Sequence, residues 1–424
     1  MSNNSIVVIG DIIESKKINN RKNVQNKLAE LLDNINQDYQ KYIESPFKIT
    51  LGDEFYGVLN NFYPVIDILQ ILEVEFKEID FRFGIGQGKF NDNNQGIAYE
   101  KALKAVKIVK NKKFNIHLIS TNNNNYFQII SLILHLYFSI FNKFTFNQKY
   151  IIHSLNRGKK QQEIAADLGS SQSSVSQSLS NINWKLLVKT ADFFKEFNSQ
   201  YSKIEINLRG NHLALIGAYS RRLNEKNDIR NTLIKINDDY KNLIRSKFVL
   251  ATLSDEAEDY FEFQALFKKE IEDYQKLLYL LVDIYYEIDE LYVGLGSGKI
   301  STEIKEQALG MDGPAFYNAR EALNKSFADG ISLNLISGKK IADTSLSIIF
   351  SLLIEFIKKW TAQQKKAVDY RAAGLSQNKI KVKMGLSARS TLVEHLQRAG
   401  WKEYDYIIKN LAELLAKNPT LLKY

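Results

Sequence analysis

Apolar residues fall into the same order of runs twice along the chain. Residues 5–13 are a β-branched stretch around Val7, Val8 and Ile9 that predicts a buried strand, and residues 21–43 place Val24, Leu28, Leu31, Leu32 and Ile35 at helical spacing. Residues 47–51 and 55–59 read as short strands flanking Gly52, Asp53 and Glu54 in a tight hairpin. A second helix is expected over 64–76, a strand over 81–85 and a third helix over 96–109. Strand, helix, hairpin, helix and strand is the ferredoxin-like order, which predicts a sheet covered on one face.

The duplication is visible residue by residue. Thr145 matches Thr361, Gln148 matches Gln364, Gly158 matches Gly374, Gln161 matches Gln377, Ile164 matches Ile380 and Gly169 matches Gly385, all at 361 − 145 = 216. Trp184 meets Trp401 at an offset of 217, and the Gly-rich run starting at Gly84 meets the one starting at Gly294 at 210. The fold class expected is α+β, with two ferredoxin-like, cyclase-type α/β domains at 1–120 and 204–338 alternating with all-α helix-turn-helix domains at 126–200 and 343–424. Residues 126–141 are apolar but shorter than the roughly 20 residues a bilayer core requires, and they carry His135. Their counterpart, 345–357, carries Glu355. A buried helix is expected, and no membrane partner.

Gln161 to Gly169 followed by Ser170 to Ser180 has the makings of a helix-turn-helix. Ile164, Ala165, Leu168, Val175 and Leu179 are placed to pack together, and Gly169 permits the turn. Ser171, Gln172, Ser173, Ser176 and Gln177 would then face outward, where Gln pairs with adenine and Ser contacts phosphate or base edges in a major groove. A helical hairpin used for protein contacts is the alternative. In the second copy Ser387, Arg389 and Ser390 take the outward places, Lys381 replaces Ala165, and one extra residue precedes Leu392.

Composition adds limits more than answers. With 45% hydrophobic and 25% charged residues and only 4 Pro, the chain has the make-up of a folded protein. The net charge of +9 allows a polyanionic partner such as double-stranded DNA without identifying one. The absence of Cys removes disulfides, thiolate metal sites and a cysteine nucleophile, and suits a reducing compartment. No basic segment leads into an apolar run at the N-terminus, so a cytoplasmic location is expected. The 5 His are scattered, which argues against a histidine metal site. The spacing of Gly84, Gly86 and Gly88 meets neither a dinucleotide nor a P-loop fingerprint.

Asp11 ends the first strand and Asp53 sits in the hairpin, on strands that a ferredoxin-like sheet makes neighbours. Paired carboxylates with a backbone carbonyl suit Mg or Mn ions that also hold nucleotide phosphates; a Gly-Asp turn with no further role is the plainer alternative. The runs from Asp11 to Ser15, Leu51 to Phe55 and Arg82 to Gly88 resemble the catalytic domains of class III nucleotidyl cyclases throughout residues 5–110. That resemblance implies metal binding by Asp11, Asp53 and the Ile12 carbonyl, and nucleotide contacts from Gly10, Gly52, Glu54, Arg82 and Gly86. It also implies pairing of the two cyclase-like domains within the chain.

The runs Val8 to Ser15 (VIGDIIES), Ile49 to Phe55 (ITLGDEF) and Asp312 to Arg320 (DGPAFYNAR) look more closely still like the SatD family, over the α/β domain and the helices after it. The catalytic Asn and Arg of cyclases, four residues apart on one helix face, are replaced by Glu100 and Lys104 in the first copy and Tyr317 and Glu321 in the second. Lys104, Asn318 and Arg320 remain as catalytic candidates. In the second copy Ala218 takes the place of Asp11, and Ser254, Asp255 and Glu256 align with the hairpin, so one metal site in the first half is expected. The leading expectation is a DNA-binding regulator whose cyclase-like domain binds a nucleotide with Mg or Mn. The alternatives are an active nucleotidyl cyclase or nucleotidyltransferase, and a DNA-binding protein with an inert scaffold.

Overall fold

β-Branched residues on both parities of the first strand leave it no face for water. In the computed structural model every residue of β1 (Ser5–Ile12) is buried. The structure describes residues 5–18, 20–50, 53–77, 79–91, 96–122, 124–196, 204, 206, 208, 211–220, 229–251 and 260–416. The chain divides into two compact units, 1–203 and 204–424.

In the first, β1 is followed by α1 (Arg21–Asp38), β2 (Ile43–Ile49), β3 (Glu54–Leu59), α2 (Val65–Glu75), β4 (Phe81–Gly88), α3 (Ile97–Lys112) and β5 (Ile116–Ser120). Five helices complete it: α4 (Asn125–Phe141), α5 (Phe146–Asn156), α6 (Gln161–Asp167), α7 (Gln172–Ser180) and α8 (Trp184–Glu196). The sheet order is β2-β3-β1-β4-β5. β1 lies between β3 and β4, antiparallel to both, which is the ferredoxin-like arrangement.

The second unit repeats this as β6 (His212–Ser220), α9 (Ile229–Asp239), β7 (Ile244–Ala251), β8 (Tyr260–Phe267), α10 (Tyr274–Glu287), β9 (Leu291–Gly298), α11 (Pro314–Asp329) and β10 (Leu333–Ile336). Its helices are α12 (Lys340–Ile357), α13 (Ala362–Ala372), α14 (Gln377–Lys383), α15 (Arg389–Arg398) and α16 (Trp401–Ala416). The sheet order β10-β9-β6-β8-β7 is the same as in the first unit.

Several expectations change. The sheet is covered on both faces: Val7, Ile9, Tyr56 and Val58 pack on Ala98, Ala102 and Val106 of α3, while Phe83 meets Phe138 of α4 on the other side. A fifth strand, β5, was not anticipated; it runs parallel to β4 and α3 forms the crossover. The first helix stops at Asp38 rather than 43, because Asn36 clamps both the N–H and the carbonyl of Phe47 (2.7 and 2.9 Å) and turns the chain into β2. β2 accordingly starts at Ile43, and its Pro46 is tolerated because the strand lies at the edge of the sheet and is irregular there. The apolar segment is the buried α4, and among the described residues no helix is long and apolar enough to cross a membrane.

The Gly-rich strand is explained by packing. A Cβ on Gly86 would lie 2.0 Å from the Ala98 carbonyl oxygen and 2.4 Å from the Ala102 nitrogen, so glycine is what lets α3 lie flat on β4. Gly296 stands against α11 in the same way, 2.1 Å from the Ala315 oxygen. Gly86→Ala is expected to cost about 3 kcal/mol, since backbone atoms cannot step aside as a side-chain tip can. Urea denaturation checks this, and a midpoint equal to that of the parent protein would refute it.

Within each unit an ion pair, buried in the first and part-buried in the second, joins the sheet's helices to the helical part. Lys149 of α5 lies 2.7 Å from Glu73 of α2, and Lys365 of α13 lies 2.7 Å from Asp283 of α10 and 2.6 Å from Asp369. In the first unit Gln70 adds a link, donating to the Tyr137 hydroxyl at 2.5 Å and accepting from Asn156 at 3.0 Å.

Candidate functional site

Strand register brings the predicted carboxylates together. Asp11 pairs with Glu54 on β3 and Arg82 on β4, so all three lie on the face that α3 covers. Lys110, from the last turn of α3, reaches back to 3.1 Å from Asp11, and Arg82 is 3.8 Å from the same oxygen. Asp53 is held by Arg21 at 3.1 Å. Burial raises the pKa of Glu54; Lys110 opposes the rise, and the charges of Asp11 and Asp53 add to it. Three carboxylates therefore share one end of the sheet with three cations.

The donors are of the type a hard divalent ion takes, but the arrangement does not fit one as it stands. Lys110 and Arg21 are already paired with Asp11 and Asp53, and among the described residues no group of three or more His, Asp or Glu is placed to hold a metal. Ile12 is buried in register with Phe81. Gly52 lies outside the described residues. Gly10 sits beneath the Phe55 ring, and a Cβ there would come within 2.2 Å of it. Gly10 and Gly86 thus have packing roles in the structure.

The catalytic candidates are distributed differently. Lys104 is exposed on α3. Asn318 donates to the Ser297 carbonyl at 2.8 Å. Arg320 makes a bidentate pair with Glu262, at 2.5 and 2.6 Å.

Glu262 also corrects the alignment of the copies. Ala218 faces Glu262 and Tyr292 as Asp11 faces Glu54 and Arg82, so Glu262 is the counterpart of Glu54 and Ala218 that of Asp11. Ser254, Asp255 and Glu256, the expected counterparts, lie outside the described residues. Lys110 corresponds to Phe327 when the caps Gly96 and Gly313 are aligned, 327 − 110 = 217. Phe327 packs on Tyr292 at 4.6 Å and on Tyr260 at 5.3 Å. The second copy has exchanged an acid, a guanidinium and an ammonium for a methyl and two aromatic rings, a change of the whole set rather than of one residue. Lys110 and Glu262 were not flagged from the sequence, although basic residues in the last turn of α3 were a signal for the former.

The helix pairs are a second candidate surface. α6 and α7 are joined by a four-residue turn in which Gly169 has φ 58°, and Ile164, Ala165, Val175 and Leu179 are buried. Ser171, Gln172, Ser173, Ser176 and Gln177 are all exposed. Ser171 caps α7 by accepting from the Ser174 N–H, and Gln172 donates to Gln161 at 3.3 Å. In α14 and α15 the turn holds the one extra residue, Gly385 has φ 66°, and Ser387, Arg389 and Ser390 are exposed. Arg389 donates to Gln377 at 2.7 Å, the counterpart of the glutamine pair in the first half.

A family model describing the SatD family matches residues 5–197 and again 213–415, one match for each half. The chain belongs to the SatD family. As a SatD protein it is written twice, and each match spans a sheet together with the helices that follow it. No curated protein matches the chain. Two solved structures of a bacterial light-regulated adenylyl cyclase are similar at 11% identity. One covers 80% of this chain and 87% of that one with a TM-score of 0.20, the other 81% and 87% with a TM-score of 0.19. At those scores the likeness has no bearing on this SatD chain's activity.

Proposed function

We propose that this SatD protein is a DNA-binding regulator, with α7 of the first half and α15 of the second as the helices that enter the major groove. The observation that carries this reading is the two-sidedness of α7. Val175 and Leu179 anchor its back, while an uninterrupted row of Ser and Gln, without an acidic residue, is left to solvent. Lys379, Lys383 and Arg389 add positive charge at the same place in the second half.

The test is a mobility shift on double-stranded DNA at several salt concentrations. Affinity should fall steeply with salt. Replacing Gln172 and Ser173 together by Ala should weaken discrimination between sites roughly tenfold or more, about 1–3 kcal/mol for a lost base contact. Binding indifferent to salt and to both substitutions would exclude groove reading by α7.

A ligand arm of the proposal places a nucleotide, with Mg or Mn, at Asp11 and Asp53. It is supported by the convergence of Asp11, Asp53 and Glu54, and it requires that Lys110 and Arg21 be displaced. Incubation with each ribonucleoside triphosphate and Mn²⁺ should leave the nucleotide unaltered. Pyrophosphate release abolished by Asp53→Ala would replace the regulator with an enzyme.

A further inference from the structure

The seam between sheet and helices in the first unit holds an open cavity of about 520 Å³. Asp38, Tyr39, Tyr63 and Asp67 line it from the sheet's side, and Asn156, Arg157, Gly158 and Lys195 from the helices. Two carboxylates thus face two cations and two phenols across a space large enough for a small metabolite. The Tyr39 hydroxyl bonds to Asp67, and the Tyr63 ring lies 4.8 Å from that of Tyr42, tilted against it by 58°. Arg157 makes a loose 3.8 Å contact with Asp38, also acts on Asp67 through its charge, and is half exposed. Asn156 is 7% exposed, and its Oδ1 has no hydrogen-bond partner among the described residues.

The second unit shows that the seam does not need these charges. The ion pairs Glu73–Lys149 and Asp283–Lys365 align the copies at 283 − 73 = 210 and 365 − 149 = 216, and Trp184 and Trp401 align α8 with α16 at 217. By those offsets Asp67 becomes Leu277, Asn156 becomes Ala372, Arg157 becomes Ala373 and Lys195 becomes Ala412. Tyr39 keeps its counterpart, Tyr240, at the offset of 201 that also relates the Asn36 and Asn237 clamps. The lining charges of α2, of α8 and of the residue that follows α5 are lost together, while Asp38 keeps a counterpart in Asp239 and the ion pair that holds the seam is kept. Groups required only for packing would not be dispensable as a set.

We infer that the first-half cavity is a binding site for a small zwitterion of the amino-acid class, with Arg157 and Lys195 receiving its anionic group and Asp67 its ammonium. Lys195 also lies 2.6 Å from Asp192 and so would bridge that carboxylate and the ligand; a ligand of one sign would match only one of the two kinds of lining charge. Tyr39 and Tyr63 supply hydroxyls to either end, and Asn156 an acceptor. Gly158 begins the turn into α6, so a ligand here touches the segment that leads to the exposed helix pair. The site stands whether or not that pair contacts DNA.

The experiment is thermal unfolding of the full chain with each of the twenty amino acids singly, and with inorganic phosphate and ethylamine as single-charge probes. At least one amino acid in large excess should raise the melting transition of the first half by a few degrees. Asp67→Asn, which is isosteric, and Arg157→Gln, which removes the charge at a half-exposed position, should each weaken its binding about tenfold while the unliganded transition stays close to that of the parent. No shift from any amino acid would overturn the proposal. So would an equal shift from phosphate or ethylamine alone, or a shift that survives both substitutions.

Discussion

Acidification from pH 7 to pH 5 is expected to destabilise the first half far more than the second. Burial holds the pKa of His117 at about 4, with Lys112 adding to the effect. Burial likewise holds His135 at about 3, aided by His117, and His153 at about 4, aided by Arg157 and Lys159. Each is depressed below the ordinary 6.5, so each favours the folded state fully above that value and progressively less as pH falls toward the folded pKa. At pH 5 the loss is about 2 kcal/mol for each histidine, a large part of the roughly 5–15 kcal/mol that holds a domain folded. Glu73 and Asp67, whose pKa values burial raises, act in the opposite direction and offset part of it.

The second half contains His212, with a lowered pKa, and raised carboxylates at Glu355 and Asp369 that oppose it. Hydrogen exchange followed peptide by peptide separates the halves within one sample. Stability of the first half should fall by up to about 4 kcal/mol per pH unit, the slope for three protons, and His153→Gln should remove about a third of that slope. Equal protection of the first half at pH 7 and pH 5 would refute this account.

Removing Lys149 is the second large effect. Its side chain is 11% exposed and that of its partner Glu73 only 1%, so Lys149→Met leaves a carboxylate in the interior with no countercharge. The expected cost is about 3–5 kcal/mol at pH 7. It should shrink at lower pH, because an unpaired Glu73 gains a proton in the folded state and its raised pKa rises further. Adding Glu73→Leu should restore most of the loss, since the isolated charge is the penalty and a packed apolar pair is nearly neutral by comparison. Chemical denaturation at pH 5 and pH 7 distinguishes these cases. A single variant within 1 kcal/mol of the parent, or a double variant no better than the single, would show that the pair is not what joins α2 to α5.

Under the proposed regulatory reading, the pair bears on coupling as well as stability. α2 belongs to the sheet and α5 leads directly to α6 and α7, so Glu73–Lys149 and the Gln70–Tyr137–Asn156 bonds are where a change beside the sheet would reach the exposed helix. The proposed zwitterion cavity lies on the same seam. The sheet-end carboxylates lie instead under α3, where Lys110 and Arg82 balance Asp11.

The sequence by itself determined the duplication, the α+β class, the strand and helix order as far as α3, and the split character of α7, because each of these is a local period or an exact recurrence. It also determined that Asp11 has no acidic counterpart in the second copy. Only the tertiary structure decided how the remaining residues meet. β5 escaped notice because five residues before an apolar helix carry little periodic signal, and its place beside β4 is a long-range pairing. Cover on both faces came from α3 on one side and α4 on the other. Lys110 closes on Asp11 across 99 residues, since 110 − 11 = 99. Glu262 replaces Glu256 as the partner position because register, not spacing from a loop, aligns strands. The charged cavity depends on four separate segments brought to one seam. Periodicity reports which side of an element is apolar, whereas pairing of charges is fixed by register and crossover.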